Sequence, residues 1–499
     1  MEKKLITKVL LISSIFYFSA VVFAGNIWDD MVKSNPSLKG SPLPTTLKCG
    51  FPLLLEAYRS PTPEILQKIR KYRRDAQRRV GEIYTSPSGH FIIHYETSGN
   101  DAIPTYDRNQ NGTPDYLEFV GNSFDRAWRV ELDTLGFRIP LDAAGNSKST
   151  YEVFCKNLRS QRLYGSTLFD LNEEITNIPG KNYPSTIEIS TDFSFVNYPG
   201  VSDNILRDSM AIAVTAAHEF NHASHLSYNI WNAIPDSSGF DPLDLWFIES
   251  SATYMEEVVA NEVNDYYQYI PSLFNSPQKG LMFYSPFDRI YGQAAINIML
   301  GMVYGRTITR EIWEEIMNRP ALQAHDVVLL GKGSKLHTEL QRLSQWMFFT
   351  DKNALAGQFF PEAAVYPLPK METTSSYQSG TQEVYADDLP PTAIQFLVSK
   401  VNSQSDFNIR ISPQSNAGNW NGQYFVFDSP YRFQYPANVN KQVPVSDITA
   451  NNDTIFSSVI TGIWNDGDVD SKIHYSLFLR SGSVSESPGI TVYPNPLKP

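Results

Sequence analysis

Basic charge is in short supply in this chain. Against 53 Asp and Glu stand 41 Lys and Arg, a formal net charge of −12, and an acidic chain repels nucleic acid and anionic lipid. Long hydrophobic runs are scarce as well. After residue 24 nothing approaches the ~20 continuous apolar residues of a spanning helix, which argues against stable membrane insertion of a mature form. Cysteine is nearly absent, with only Cys49 and Cys155. In an oxidising export compartment such a pair is more often bridged than free, and closing so long a loop would stabilise by about 4–5 kcal/mol in the chain-entropy treatment. No internal repeat is visible. Charged residues make up 19% of the chain against 42% hydrophobic and 13% aromatic, a composition that folds rather than one that stays disordered.

At 499 residues the chain exceeds a single core, and two or three domains are expected. Residues 1–24 carry Lys3, Lys4 and Lys8, an apolar run from Val9 to Ala24, and Val22-Phe23-Ala24 before Gly25. That pattern predicts a secretory signal peptide cleaved after Ala24, with a retained anchor as the alternative. The leader holds three lysines and Glu2, so its loss deepens the formal charge to −14. Residues 25–80 read as a Pro-rich N-terminal arm ending in a basic helix opened by Pro61-Thr62-Pro63-Glu64. Its Lys68, Arg70, Lys71, Arg73, Arg74, Arg78 and Arg79 suggest a solvated face; a cleavable pro-segment is the sharper alternative. Residues 81–203 look β-rich, with strands at His90–Glu96, Tyr151–Asn157 and Ser185–Phe193. One helix interrupts them, with Leu117, Val120, Phe124, Ala127, Trp128 and Leu135 at near-helical spacing. Residues 204–365 turn helical. Residues 366–485 carry short alternating runs (AIQFLVSKV, FNIRISP, GQYFVFD, FSSVITGIW, IHYSLFL), the pattern of an accessory β-sandwich. Residues 486–499 form a linker and tail. The expected fold class is α+β followed by an all-β domain.

The Ala-rich stretch 204–228 contains His218-Glu219-Phe220-Asn221-His222. Spacing of i and i+4 sets both imidazoles on one helix face, where they can share a tetrahedral zinc ion at about 2.0–2.1 Å. Glu219, about 100° round the helix, is the natural general base and not a ligand. The apolar setting from Ala211 to Ala217 marks a buried helix, and buried histidines require partners. A catalytic site needs a third protein ligand and an open position. Glu249, in the first turn of a second helix running from Asp244 to Glu256, can supply that ligand. Thr253 could orient a ligand from behind, and Glu256 reads as structural. His225, at i+3 from His222, is a rival ligand.

The pair H-E-F-x-H and W-x-x-E-x-x-A-x-Y-x-E resembles the gluzincin metallopeptidases, the clan of thermolysin, aminopeptidase N and hyicolysin. The stretches VTAAHEFNH, LWFIESSATYMEE, VNDYYQYIPS, YGQAAINIMLGMVYG and REIWE resemble a group of exported bacterial metalloproteases, over about residues 80–365. The resemblance implies a gluzincin-like domain with His218, His222 and Glu249 as zinc ligands and Glu219 as base. It further implies an oxyanion-stabilising role for Tyr291, which resembles the Tyr opening the helix after the glutamate helix in aminopeptidase N-like enzymes. The spacer before Glu249 is longer than in thermolysin. No G-x-M-E-N-like amine anchor precedes the zinc helix.

Residues 107–118 fill a twelve-position calcium loop with Asp107, Asn109, Asn111, Thr113, Asp115 and Glu118, and Gly112 at the sharp turn. The alternative is an Asx-rich turn capping the next helix. The terminal VYPNPLKP resembles the opening of a C-terminal sorting domain of the type IX secretion route, which implies attachment at the cell surface. The chain therefore reads as a secreted zinc metallopeptidase, an endopeptidase acting on protein or peptide, with a structural calcium ion. The competing readings are an aminopeptidase and a non-catalytic adhesion protein on the same fold.

Overall fold

The computed structural model describes residues 48–59, 63–76, 81–230, 244–283, 288–400, 407–414, 420–426, 429–435, 440–443, 454–461 and 472–481. The expected leader, the first half of the N-terminal arm and the tail after 481 lie outside the described residues. Helices and sheets occur together, an α+β arrangement. Two compact units are present, Met1–Tyr266 with Thr309–Ala321 and Tyr267–Ile308 with Leu322–Pro499. The expected boundary near residue 365 falls inside the second unit, which takes helices as well as strands.

The first unit opens with two helices, α1 (Phe51–Arg59) and α2 (Pro63–Ala76). A five-stranded sheet follows, from β1 (Glu82–Thr85), β2 (Phe91–Tyr95), β3 (Tyr151–Lys156), β4 (Gly165–Leu168) and β5 (Thr186–Ser190), in the order β1-β2-β3-β5-β4. Strands β2, β3 and β5 run parallel, while β1 and β4 pair antiparallel at the two edges. The parallel step from β2 to β3 requires a crossover, and α3 (Asp115–Ala127) supplies it. Its Leu117, Val120, Phe124 and Ala127 are buried, and a π-helical turn over Trp128–Thr134 extends it. All five residues of β5 are buried, because both faces of this strand are covered. The long helix α4 (Asn204–His225) packs across β4 and β5. Asp203 caps it, accepting hydrogen bonds from the amides of Ile205 and Leu206. Helix α5 (Leu245–Val259) lies against α4, and every residue but Glu257 is buried. Such an all-round apolar helix belongs in a core.

Lys71 and Arg74 of the basic helix are exposed, as on the solvated face expected of it, and Arg73 is the described basic residue that departs from that face. In α2, Arg73 turns inward to Glu173 (2.9 Å), and Tyr72 donates to Glu188 on β5 (2.6 Å). The expected disulfide is also overturned, since Cys49 and Cys155 are both buried and free. The sheet order explains why. Cys155 on β3 pairs with Ile189 on β5, Ile189 with Gly165 on β4, and Gly165 with Cys49. Three inter-strand steps of about 4.8 Å put the two cysteines roughly 14 Å apart, twice what a disulfide spans.

In the second unit, helices α6 (Ile270–Phe274), α7 (Asp288–Gly292), α8 (Ala294–Tyr304), α10 (Ala321–Gly331) and α11 (Leu336–Phe348) precede a β-sandwich. Helix α9 (Ile308–Ile316) contributes Thr309 onward to the first unit. Among the described residues nine strands, β6 (Met371–Thr373), β7 (Thr381–Leu389), β8 (Ile394–Lys400), β9 (Phe407–Pro413), β10 (Trp420–Val426), β11 (Ser429–Tyr435), β12 (Asn440–Val443), β13 (Thr454–Thr461) and β14 (Ile473–Ser481), form two sheets, ordered β11-β10-β13-β8-β6 and β12-β9-β14-β7. Leu397, Trp420 and Val459 from one sheet meet Val384, Ile409, Tyr475 and Leu477 from the other in one buried cluster. Alternating strands with one apolar face pack in this way. Among the described residues no helix is long and apolar enough to cross a membrane.

Candidate metal centre

Helix α4 carries His218 and His222 one turn apart, and α5 brings Glu249 to face them. Nε2 of His218 lies 3.0 Å from Nε2 of His222 and 3.3 Å from Oε2 of Glu249, while Nε2 of His222 lies 3.2 Å from Oε1 of Glu249. A tetrahedral ion bonded at about 2.0–2.1 Å separates its ligands by roughly 3.3–3.4 Å. The two Nε2 atoms and the two carboxylate oxygens of Glu249, one facing each imidazole, therefore stand at close to the spacing of coordination positions. His218 and His222 are at most 2% exposed, and Glu249 is fully buried with no hydrogen bond to its Oε1. Unshared pairs converging in a dry interior repel unless a proton or cation sits among them, so the donor set fits a metal ion.

The electrostatics agree. Burial raises the Glu249 carboxyl, yet His222 and His218 beside it hold it down at about 2. Burial lowers His218, yet its hydrogen bonds to Glu249 and Glu256 lift it to about 9. The pocket favours net positive charge within it.

Glu256 does what the sequence did not disclose. Its Oε1 lies 2.7 Å from Nδ1 of His218, where it can accept from Nδ1–H while Nε2 is turned toward the centre. Glu256 is thus the orienting residue, correcting its reading as merely structural. Thr253, the residue expected to orient a ligand, is fully buried and its hydroxyl makes no hydrogen bond among the described residues. The spacing i+7 from Glu249 on one helix face was the available signal. His225 stands behind His222, with Nδ1 3.3 Å from Nδ1 of His222 and its ring stacked on Trp313 at 3.8 Å. It is outside the converging group.

Glu219 lies against β4. The Thr167 hydroxyl is 2.8 Å from Oε2 of Glu219 and 2.8 Å from its carbonyl oxygen. Burial raises the Glu219 carboxyl above its ordinary range, and the neighbouring histidines lower it in part. The close seat depends on Gly165. A Cβ there would stand 2.7 Å from Cγ2 of Thr215 and 2.9 Å from both Cγ of Glu219 and the carbonyl oxygen of Glu188.

A fourth donor arrives from the N-terminal arm. Cys49, fully buried, brings Sγ into the same cluster, all four ligating atoms lying within 4.8 Å of one another. It is in hydrogen-bond contact with Glu219. Sequence reasoning treated Cys49 only as half of a disulfide.

Tyr291 belongs to the second unit, on α7, where it is buried with its ring 5.0 Å from that of Tyr269. In the loop from 107 to 118, five of the six expected residues, Asp107, Asn109, Asn111, Thr113 and Glu118, are linked by hydrogen bonds. Oε1 and Oε2 of Glu118 accept from the side-chain amides of Asn111 (2.7 Å) and Asn109 (2.9 Å), and Asp107 accepts from the backbone of Asn111 and Gly112. Gly112 adopts φ +88°, the conformation the sharp turn demands. Asp115 turns away and is held by Arg108 at 2.9 Å. Thr113 donates its amide to Oδ1 of Asn111.

No protein-family model matches the chain, and no curated protein matches it.

Proposed function

We propose that this chain is a secreted zinc-dependent metallopeptidase of the gluzincin type, an endopeptidase that hydrolyses peptide bonds in protein or peptide. The reading rests above all on the mutual spacing of the ligating atoms of His218, His222 and Glu249, which matches a tetrahedral zinc site with one position left over. Those three residues would hold the ion, and Glu256 fixes the tautomer of His218. When bound, zinc supplies Lewis acidity that polarises a carbonyl and acidifies water. Glu219 takes a proton from the attacking water and delivers it to the leaving amine. Its burial suits that task, since a carboxyl raised above its ordinary range holds a proton more readily than an exposed one. Thr167 keeps the carboxylate directed while the proton moves.

A second, calcium-binding site at Asp107, Asn109, Asn111, Thr113, Asp115 and Glu118 belongs to the same proposal. The linkage of Asn109 and Asn111 to Glu118 supports it, because rotating each amide presents its oxygen to a shared cation. Asp115 would join only by leaving Arg108. Export follows from the leader at residues 1–24, and the tail supports attachment at the cell surface.

Cys49 favours one rival reading. Four protein donors make a closed centre, which is the form of a structural zinc site. Such a site has no use for a buried carboxylate held beside its fourth donor, and Glu219 is such a group. Purified protein assayed for zinc content and for casein hydrolysis, with and without chelator, tests the proposal. Stoichiometric zinc with chelator-sensitive hydrolysis is expected. Absence of zinc after gentle purification refutes it.

A further inference from the structure

We infer that the segment Lys48–Phe51 is a built-in plug which holds the centre latent, with the Cys49 thiolate as a displaceable fourth ligand. The inference rests on the metallopeptidase reading and adds to it how the site is regulated.

Four independent contacts seat the plug. Its backbone pairs with the free edge of β4, the amide of Gly50 donating to the carbonyl of Gly165 at 3.0 Å and the amide of Tyr164 to the carbonyl of Lys48 at 2.7 Å. An exposed sheet edge is where an extended peptide adds as a further strand, so the plug fills the place a substrate backbone would take. The ammonium of Lys48 lies 2.5 Å from Glu256 and 2.9 Å from Asp265, with all three side chains at most 3% exposed. The carboxylate that orients His218 is thereby tied to the plug as well. The ring of Phe51 stacks on His222 at 4.5 Å and 14°. Between these anchors, Sγ of Cys49 faces the ligand cluster.

Accessibility points the same way. A centre that acts on peptides must be reached by them, yet His218, His222, Glu249 and Glu219 are all at most 2% exposed beneath the plug. The same covering suits latency. Coordination by Cys49 would form an Sγ–metal bond and give up the thiol proton, for which the Glu219 carboxylate in hydrogen-bond contact with Cys49 is an acceptor. Beyond β4, helices α1 and α2 are fastened by Tyr58 to the carbonyl of Phe169 (2.7 Å) and by Arg73 to Glu173. The plug is held by folded structure and not by the thiolate alone.

Cobalt(II) in place of zinc gives a readout apart from activity. The full chain loaded with cobalt should show a thiolate-to-cobalt charge-transfer band, and acetohydroxamate should leave its visible spectrum unchanged. Cys49→Ala and Cys49→Ser should keep the metal, lose the band, and bind acetohydroxamate about tenfold or more tightly than the parent, because a tethered thiol competes at an effective concentration of millimolar or higher. Absence of the band in the parent, or equal hydroxamate affinity in parent and variants, overturns the plug. Loss of metal from both variants also overturns it, by making Cys49 an integral ligand of a structural centre. Failure of parent and variants alike to take up cobalt or zinc instead overturns the metallopeptidase reading beneath it.

Discussion

Replacing Gly165 by alanine tests the join between sheet and helix on which the candidate base depends. The added methyl would meet three atoms under 3.0 Å: Cγ2 of Thr215, the carbonyl oxygen of Glu188 and Cγ of Glu219. None yields easily. Thr215 is held by its hydroxyl to the carbonyl of Ala211 at 2.6 Å. The Glu188 carbonyl is backbone of a fully buried strand, so α4 has to move away from β4. Overpacking of this kind costs about 1–3 kcal/mol, and a contact with immobile backbone puts Gly165→Ala at about 2 kcal/mol or more. For a domain of this size that lowers Tm by roughly 4–8 °C. Gly331→Ala is the control. It ends α10 with no atom within 4 Å of the new Cβ and an ordinary φ, so it should change stability by well under 1 kcal/mol in either direction. Differential scanning calorimetry at matched metal loading measures both. The same variant should retain zinc while hydrolysis falls, because Glu219 shifts and the ligands on α4 and α5 move together. Should Gly165→Ala melt within about a degree of the parent, α4 is not seated on β4 as described.

Glu219→Gln should keep zinc and lose about 10²–10⁴ in turnover, whereas Glu249→Gln should weaken zinc itself; metal analysis of the two variants separates base from ligand. Glu256→Gln should cost about 10–100-fold in zinc affinity by loosening His218, as read by competition with a chromophoric chelator. Calcium should raise Tm, by the equivalent of about 2.7 kcal/mol at a hundred times Kd; if Asp107→Ala melts like the parent at every calcium concentration, the loop is only a turn. Burial raises the Glu188 carboxyl to about 7, against smaller lowering effects from Tyr72 and Lys156. The native state then holds a proton that the unfolded chain has released, so its stabilising effect is complete below about pH 4.5 and is lost, at about 1.4 kcal/mol per pH unit, as pH rises toward 7. Glu188→Gln should flatten that part of a Tm-against-pH curve, and an unchanged slope would show that Glu188 does not titrate there.

Much of the candidate site was legible along the chain because its geometry is local. A period of 3.6 residues joins His218 to His222 whatever surrounds them, and an apolar run from Ala211 to Ala217 announces burial before any partner is known. The sandwich strands were legible for the same reason, since alternation is a property of each run by itself. Strand β4 was not. Its Gly-Ser-Thr-Leu has no alternation, and all four residues are buried because helix and sheet cover both sides. What only the tertiary structure decided lies in pairings between distant residues. Sheet order separated Cys49 from Cys155 and delivered Cys49 to the histidines instead. The separation of 208 positions between Lys48 and Glu256 carries no periodicity that could announce their ion pair. The sequence alone marked His218, His222 and Glu249 as side chains that could bind a metal and the helices that would carry them, but not Cys49. Whether the fourth position stays open depends on which strand the N-terminal arm lies beside, and only the folded sheet has an edge for it.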